Sequence, residues 1–151
     1  MIERSSGILM PISSLPSPHG IGTMGKAAYD FADFLAAAGQ KYWQLLPLGP
    51  TSYGDSPYQS FSSVAGNPYF IDLPQLERDG LLERSEYEGL PWCESETSVD
   101  YGQMYRLRYE VLHHAYRLFT QNPPEDYEWF CRENARWLPD YALFMALKDA
   151  H

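Results

Sequence analysis

An apolar segment, an amphipathic helix and a second apolar segment follow one another near the start of this chain, and this order constrains its fold most. Residues 7–12 and 42–48 are short, nearly continuous apolar runs, as a parallel strand buried on both faces requires. Between these runs, apolar side chains from Phe31 to Ala38 recur at helical spacing, and Gly39 follows as a C-cap. The pattern predicts a strand–helix–strand unit and an α/β fold.

Composition excludes several classes of protein. The 151 residues are 44% hydrophobic, enough for the core of one ordinary domain, and their net charge of −9 would repel a nucleic acid backbone. No apolar run approaches the roughly 20 residues needed to cross a bilayer, so we expect no membrane partner. We find no secretory signal, and Cys93 and Cys131 are too few for a disulfide framework, which favours a cytoplasmic location.

The balance of residue types changes after Pro74. Residues 1–74 contain most of the proline and glycine, whereas residues 75–151 contain most of the acidic side chains. Because turn-forming and charged residues are separated in this way, we predict two regions with different roles. The boundary between them is placed at residues 74 and 75.

The second region carries a long predicted helix. Apolar side chains between residues 104 and 119 lie on one helical stripe, and Asn122-Pro123-Pro124 then breaks the helix. A further helical stretch begins near Glu125 and is interrupted near Pro139, where a helix restart is expected. Its last residues, up to His151, lack a Gly or Pro terminator, so we expect the chain to be truncated.

A glycine motif in the first region resembles a dinucleotide-binding turn. Gly20-Ile21-Gly22-Thr23-Met24-Gly25 matches G-x-G-x-x-G and precedes the predicted helix. In that motif the strand runs straight into the first glycine, whereas residues 13–19 intervene here. The second strand should also end in an acidic residue, but Leu48-Gly49-Pro50 follows it. We therefore favour a structural role for these glycines as turn residues.

A long loop follows the second predicted strand and extends to about residue 73. Such loops at the carboxyl ends of strands are often functional in α/β folds, and the faces of Tyr53 and Tyr58 suit sugar rings. Side chains with donors and acceptors for hydroxyl groups are Asp55, Ser56, Gln59 and Asn67. A self-packed Ω-loop, held together by its prolines and tyrosines, explains the same residues equally well. Loop chemistry alone leaves both interpretations open.

Seven short blocks occur in order between Arg4 and Lys148. They are Ser6-Gly7-Ile8-Leu9, Ser14-Leu15-Pro16, Gly20-Ile21-Gly22, Trp43-Gln44-Leu45-Leu46-Pro47-Leu48-Gly49-Pro50, Ser56-Pro57-Tyr58-Gln59, Ala65-Gly66-Asn67-Pro68 and Trp137-Leu138-Pro139-Asp140-Tyr141-Ala142. Together they resemble the 4-alpha-glucanotransferases of glycoside hydrolase family 77, also called amylomaltases or disproportionating enzymes. His19 departs from the pattern, because the family usually has Tyr before Gly20.

The resemblance implies the N-terminal part of a (β/α)8 TIM barrel with a helical insertion, incomplete in this chain because such a barrel needs about 250 residues. Residues 1–74 would supply the first barrel strands, a helix and the substrate loop. Residues 75–151 would supply the helical insertion and the return toward the barrel. The implied reaction transfers an α-1,4-glucan segment to the 4-hydroxyl of another glucan or glucose by a retaining double displacement.

The catalytic carboxylates are expected beyond His151, since no part of this sequence matches the family's carboxylate motifs. The chain by itself is therefore expected to contain no catalytic residue and to be inactive. Maltooligosaccharides and α-1,4-glucans are the implied partners, and we expect neither a cofactor nor a metal. His113 and His114 are adjacent rather than four residues apart on one helical face, which argues against a metal pair.

The resemblance also implies substrate-binding positions in the loop. Tyr58 matches the family's substrate-contacting tyrosine, and Ser56 and Gln59 flank it. Tyr53 and Tyr101 match aromatic positions that guide a longer glucan outside the catalytic centre. Ordinary packing at the start of a helix is the alternative role for Tyr101.

Two other classes of function are compatible with parts of the sequence. The first is a non-catalytic carbohydrate-binding domain that uses the same tyrosines, although such modules are usually β-sandwiches and the stripe over residues 104–119 is helical. The second is a structural or partner-binding helical domain, which the specific blocks of the loop oppose. We expect the presence or absence of the carboxylate motifs downstream to discriminate the enzyme from the binding domain.

Overall fold

The computed structural model describes residues 4–52, 54–95 and 97–150. Within these ranges the strands are β1 (Gly7–Leu9) and β2 (Tyr42–Gln44). The α-helices are α1 (Lys26–Ala37), α2 (Leu73–Arg78), α3 (Tyr101–Gln121), α4 (Tyr127–Glu133) and α5 (Leu138–Ala150). Short 3-10 turns occupy Ile12–Ser14, Pro68–Phe70 and Arg84–Glu86. None of the helices in the described ranges is long and apolar enough to span a bilayer.

The strand–helix–strand unit predicted from the sequence is present. β1 and β2 pair in parallel, with Gly7 opposite Tyr42 and Leu9 opposite Gln44, and α1 connects them. Gly39 ends the helix with a φ of 71°, and the amide of Gln40 donates to the carbonyl of Leu35 at 2.9 Å. This Schellman arrangement satisfies carbonyls at the end of the helix, so the chain turns directly into β2.

The two strands are shorter and more exposed than predicted. Each has three residues rather than six or seven, and Ile8, Leu9 and Tyr42 are all exposed. Burial of both strand faces, which the apolar runs predict, is not reached within the described residues. A continuous apolar run is typical of a strand that several neighbouring elements cover, whereas each of these strands pairs with one other strand within the described residues.

The chain divides into two compact units, residues 1–115 and residues 116–151. The core of the first unit includes Ile21, Tyr69, Leu73 and Met104, with Leu73 and Met104 fully buried. This core combines residues from both sides of the composition change at Pro74, because α3 packs its apolar stripe against the first region. The roles assigned to residues 1–74 and 75–151 remain predictions.

The second unit consists of the end of α3, α4 and α5. α3 ends immediately before Asn122-Pro123-Pro124, and Pro139 is the second residue of α5, as the break and the restart predicted from the sequence require. The rings of Phe119 and Tyr127 lie 5.1 Å apart across the break.

The glycine motif that precedes α1 is packed against protein rather than open to a ligand. A Cβ on Gly22 would lie 2.0 Å from the carbonyl oxygen of Ile12, and a Cβ on Gly25 would lie 1.9 Å from the Asp72 carboxylate. Real Cβ contacts do not approach this closely, so the backbone around Gly22 requires glycine, and a side chain at residue 25 would have to displace the Asp72 carboxylate. This geometry supports the structural interpretation of the motif.

Candidate functional site

The loop between β2 and the turn Pro68–Phe70 is closed at its base. The amide of Asn67 donates to the carbonyl of Leu48 at 2.8 Å, which joins the two ends of the loop. The Asn67 side chain also accepts from the amide of Tyr69 at 2.9 Å and so caps the following turn. Asn67 therefore fixes both the width of the loop base and the direction in which the chain leaves it.

Three of the predicted site residues share one turn within this loop. The amide of Gln59 donates to the carbonyl of Ser56 at 3.0 Å, and the Ser56 hydroxyl accepts from the amide of Tyr58 at 3.4 Å. The Tyr58 side chain is 74% exposed, so its ring is available to a ligand in solvent. Ser56 thus accepts two backbone hydrogen bonds and stabilises the turn that carries Tyr58. The role of these residues in substrate binding remains a prediction, and Tyr53 lies outside the described residues.

A small cavity lies between the loop, the strand end and the start of α3. Its volume is about 30 Å³, and its lining includes Asp55, Asn67, Phe70 and Tyr101. This volume holds about one or two water molecules and is too small for a sugar ring. Tyr58 is not among the lining residues. The exposed ring of Tyr58 therefore lies on the surface of the loop and not in this cavity.

Asp55 and Tyr101 meet at the cavity although 45 residues separate them in the sequence. Burial raises the pKa of the Asp55 carboxyl and also that of the Tyr101 phenol, which the Asp55 charge raises further. Asp55 has a φ of 56°, a left-handed conformation that is uncommon outside glycine, and it follows Gly54, which has a φ of 97°. The loop thus turns sharply at the point where it delivers the carboxylate to α3.

A second tyrosine behind the cavity links it to the core. The ring of Tyr69 lies 6.3 Å from that of Tyr101 and 5.9 Å from that of Tyr109. Burial raises the pKa of the Tyr69 phenol, and the neighbouring phenols and Asp55 add to the effect. With their pKa values raised, the Tyr69 and Tyr101 phenols stay protonated at neutral pH and act as hydrogen-bonding and apolar groups rather than as bases.

Among the described residues that line the cavity, Asp55 is the one with a carboxyl group. Among the described residues, no group of three or more His, Cys, Asp or Glu side chains is arranged to hold a metal ion, and His114 pairs with Glu86.

Two buried polar residues of the first unit were not assigned a role from the sequence. Arg108 is fully buried on α3, and His19 is buried with its ring 5.1 Å from Tyr87 and 6.0 Å from Trp92. Arg108 lies four residues after Met104 and three before Val111, so the helical stripe itself places a cation on the buried face. That spacing is the signal from which its burial was predictable.

Comparison with known proteins decides the family. A family model described as 4-alpha-glucanotransferase, glycoside hydrolase family 77, matches residues 10–151. The chain belongs to this family. It is 52% identical over 139 residues to a 4-alpha-glucanotransferase of Clostridium butyricum, which covers 92% of this chain and 28% of that protein. It is 50% identical over 154 residues to a 4-alpha-glucanotransferase of Thermus thermophilus, which covers 99% of this chain and 30% of that protein.

Solved structures give the same family relationship. The fold matches an amylomaltase from Streptococcus agalactiae in complex with acarbose, with a TM-score of 0.92 and 43% sequence identity. The match covers 98% of this chain and 30% of that structure. This 4-alpha-glucanotransferase family chain therefore spans about 30% of the length of such relatives. The resemblance inferred from the seven sequence blocks is confirmed.

Proposed function

We propose that the protein containing this chain is a 4-alpha-glucanotransferase. It transfers an α-1,4-glucan segment to the 4-hydroxyl of another glucan or glucose by a retaining double displacement. This chain supplies the N-terminal part of a (β/α)8 barrel with its helical insertion, and the catalytic carboxylates come from sequence that follows. Family membership over residues 10–151 carries the proposal, together with the fold match at a TM-score of 0.92.

Within that enzyme the chain contributes a glucan-binding surface. The exposed ring of Tyr58 stacks on a glucose unit, while Ser56 and Gln59 shape the turn that presents it. Tyr101 and Tyr53 guide a longer glucan away from the catalytic centre. The acarbose in the Streptococcus agalactiae structure is an oligosaccharide analogue, which supports α-glucans as ligands. The reaction takes place in the cytoplasm and uses no cofactor or metal.

Incubation of the full-length protein with maltotriose tests the proposal. We expect glucose together with maltodextrins longer than maltotriose, formed without an added cofactor and with retention of the α-anomer. Separation of the products by chromatography and anomer analysis by NMR give the readout. Hydrolysis to glucose alone, or products of inverted configuration, would contradict transfer by double displacement. Glucan binding without any turnover would instead favour a non-catalytic carbohydrate-binding protein.

A further inference from the structure

Arg108 is a cation buried in the core beneath the loop. It lies on α3 with no exposed surface, and its Cζ atom is 5.8 Å from the centroid of the Trp92 ring. Its Nη2 donates to the carbonyl of Tyr69 at 3.0 Å and also to the carbonyl of Ile71. Nε and Nη1 have no hydrogen-bond partner among the described residues. Within the described residues, this guanidinium therefore donates to backbone carbonyls of one short segment.

The two carbonyls belong to the segment that ends the substrate loop. They flank Phe70, whose own carbonyl accepts from the amide of Met24 at 2.9 Å. Three successive carbonyls are thus held from outside the segment, two of them by one side chain. Phe70 and Asn67 both line the cavity, so fixing this segment fixes one wall of the site.

The same side chain connects this wall to the opposite one. Tyr101 lines the cavity from α3 and precedes Arg108 by seven residues, which is close to two helical turns and places both on one face. Arg108 therefore ties the backbone of the loop to the helix that carries Tyr101. Both carbonyls accept from the same Nη2 atom, whose protons the planar guanidinium holds in fixed directions, whereas the ammonium of a lysine is a point of charge on a flexible stem.

We propose that Arg108 is a positioning residue that holds the loop end and α3 in one arrangement for glucan binding. The inference rests on the proposed glucanotransferase function. Arg108 acts through the backbone at residues 69–71 and not through contact with the substrate. Loss of the guanidinium would leave the buried carbonyl of Tyr69 and the partly buried carbonyl of Ile71 without this donor, and would allow the segment that carries Asn67 and Phe70 to shift away from Tyr101.

The test compares Arg108→Lys and Arg108→Met with Arg106→Lys and Arg106→Met in the full-length protein. Arg106 is an exposed residue of the same helix that donates to the Gln103 side chain at 2.6 Å, so it controls for loss of charge and of side-chain length on α3. Hydrogen exchange by mass spectrometry is followed in peptides containing Met24 and Asn67. KM and kcat for maltotriose are determined per folded enzyme.

We expect Arg108→Met to accelerate exchange at both peptides about 10-fold, since roughly one charge-assisted hydrogen bond per carbonyl is lost. KM should rise by a similar factor with a smaller change in kcat, and Arg108→Lys should restore part of both. The Arg106 variants should match the wild type. Unchanged KM and exchange in folded Arg108→Lys and Arg108→Met, with only a lower melting temperature, would overturn the proposal.

If Arg108→Met does not fold, the Arg108→Lys comparison with Arg106→Lys decides in the same way. The exchange measurement separates this inference from the proposed function. A wild-type protein without transferase activity would contradict the proposed function. Hydrogen exchange in the peptides containing Met24 and Asn67 would still support or overturn the positioning role of Arg108.

Discussion

Tyr58 has a hydrogen-bonded backbone and a ring exposed to solvent. The Tyr58 amide donates a hydrogen bond to the Ser56 hydroxyl, while the residue is 74% exposed, so a ligand ring would pack on it without displacing protein. Arg108 differs from Tyr58, because its side chain is fully buried and donates to the backbone carbonyl of Tyr69. Residues of these two kinds present and support the candidate site.

Replacing Tyr58 separates stacking from hydrogen bonding. Stacking of the ring on glucose should contribute on the order of 1–3 kcal/mol, by analogy with bases stacked on aromatic side chains. Tyr58→Ala should then lower kcat/KM roughly 5- to 150-fold. Tyr58→Phe keeps the ring and should lose much less. Tyr29→Ala is a matched control, because Tyr29 is 72% exposed but lies on α1. Equal losses for Tyr58→Phe and Tyr58→Ala would indicate a role for the hydroxyl instead.

We expect His19 to make the free energy of unfolding depend on pH. Burial lowers its pKa from the ordinary value of 6.5, and Arg108 lowers it further, while Asp72 and Glu88 oppose the shift. The folded state therefore binds a proton more weakly than the unfolded state. The contribution of His19 to stability is complete above pH 6.5 and is lost as the pH falls through the lowered value.

Urea unfolding of the full-length protein between pH 5 and 8 measures this effect. The free energy of unfolding of the wild type should fall relative to that of His19→Phe as the pH drops below 6.5. The phenyl ring keeps an aromatic contact with Tyr87 and Trp92 but has no proton to gain. His113→Phe, which changes an exposed histidine on α3, is the control. A difference between wild type and His19→Phe that does not change with pH would contradict the prediction.

At the scale of single elements, local sequence signals account for where the helices end. α1 stops at a glycine with a positive φ, and α3 stops before two prolines. Both signals act through the backbone of the residues themselves and need no tertiary partner. The strands are different, because their length depends on which neighbours pair with them.

A glycine pair tests the C-cap of α1. A Cβ at either Gly39 or Gly66 would meet no atom within 4 Å, but Gly39 has a φ of 71° and Gly66 is outside the left-handed region. Gly39→Ala should therefore lower the free energy of unfolding by about 1 kcal/mol, from backbone strain alone. Gly66→Ala should be neutral or slightly stabilising. Thermal and urea unfolding measure both, and equal effects of the two changes would show that φ at Gly39 does not limit stability.

At the scale of the whole molecule, apolar side chains remain uncovered in both units. Ile8, Leu9 and Tyr42 are exposed on the strands of the first unit, and Leu143 and Leu147 are exposed one turn apart on α5 in the second. Exposed apolar faces and unpaired strand edges favour association with other chains. Relatives of this chain are more than three times as long, so in them further protein is available to cover equivalent faces.

Expression of the 151 residues alone tests this expectation. We expect the product to bind the hydrophobic dye ANS, to aggregate and to show no transfer from maltotriose. The double variant Leu143→Lys, Leu147→Lys should bind less dye, because it replaces apolar surface on α5 by charge. Lys26→Ala, Lys148→Ala is a control without loss of apolar surface. A monomeric product with a cooperative melt and measurable transglycosylation would contradict the prediction.

The sequence by itself determined the features that depend on neighbouring residues. The strand–helix–strand order, the cap at Gly39 and the break at Asn122-Pro123-Pro124 follow from periodicity and backbone preference, which act over a few residues. The family was also recognisable, because the seven sequence blocks occur in order within this chain. The roles of Tyr58, Ser56, Gln59, Tyr53 and Tyr101 in binding remain predictions.

Only the tertiary structure decided which distant residues meet. It placed Asp55 beside Tyr101, brought the Asp72 carboxylate against Gly25 and directed Arg108 to the carbonyls of the loop end. It also left the strands short and exposed. Each outcome depends on packing between segments tens of residues apart, where close approach and burial are set by the whole core, and local propensity carries no information about such contacts.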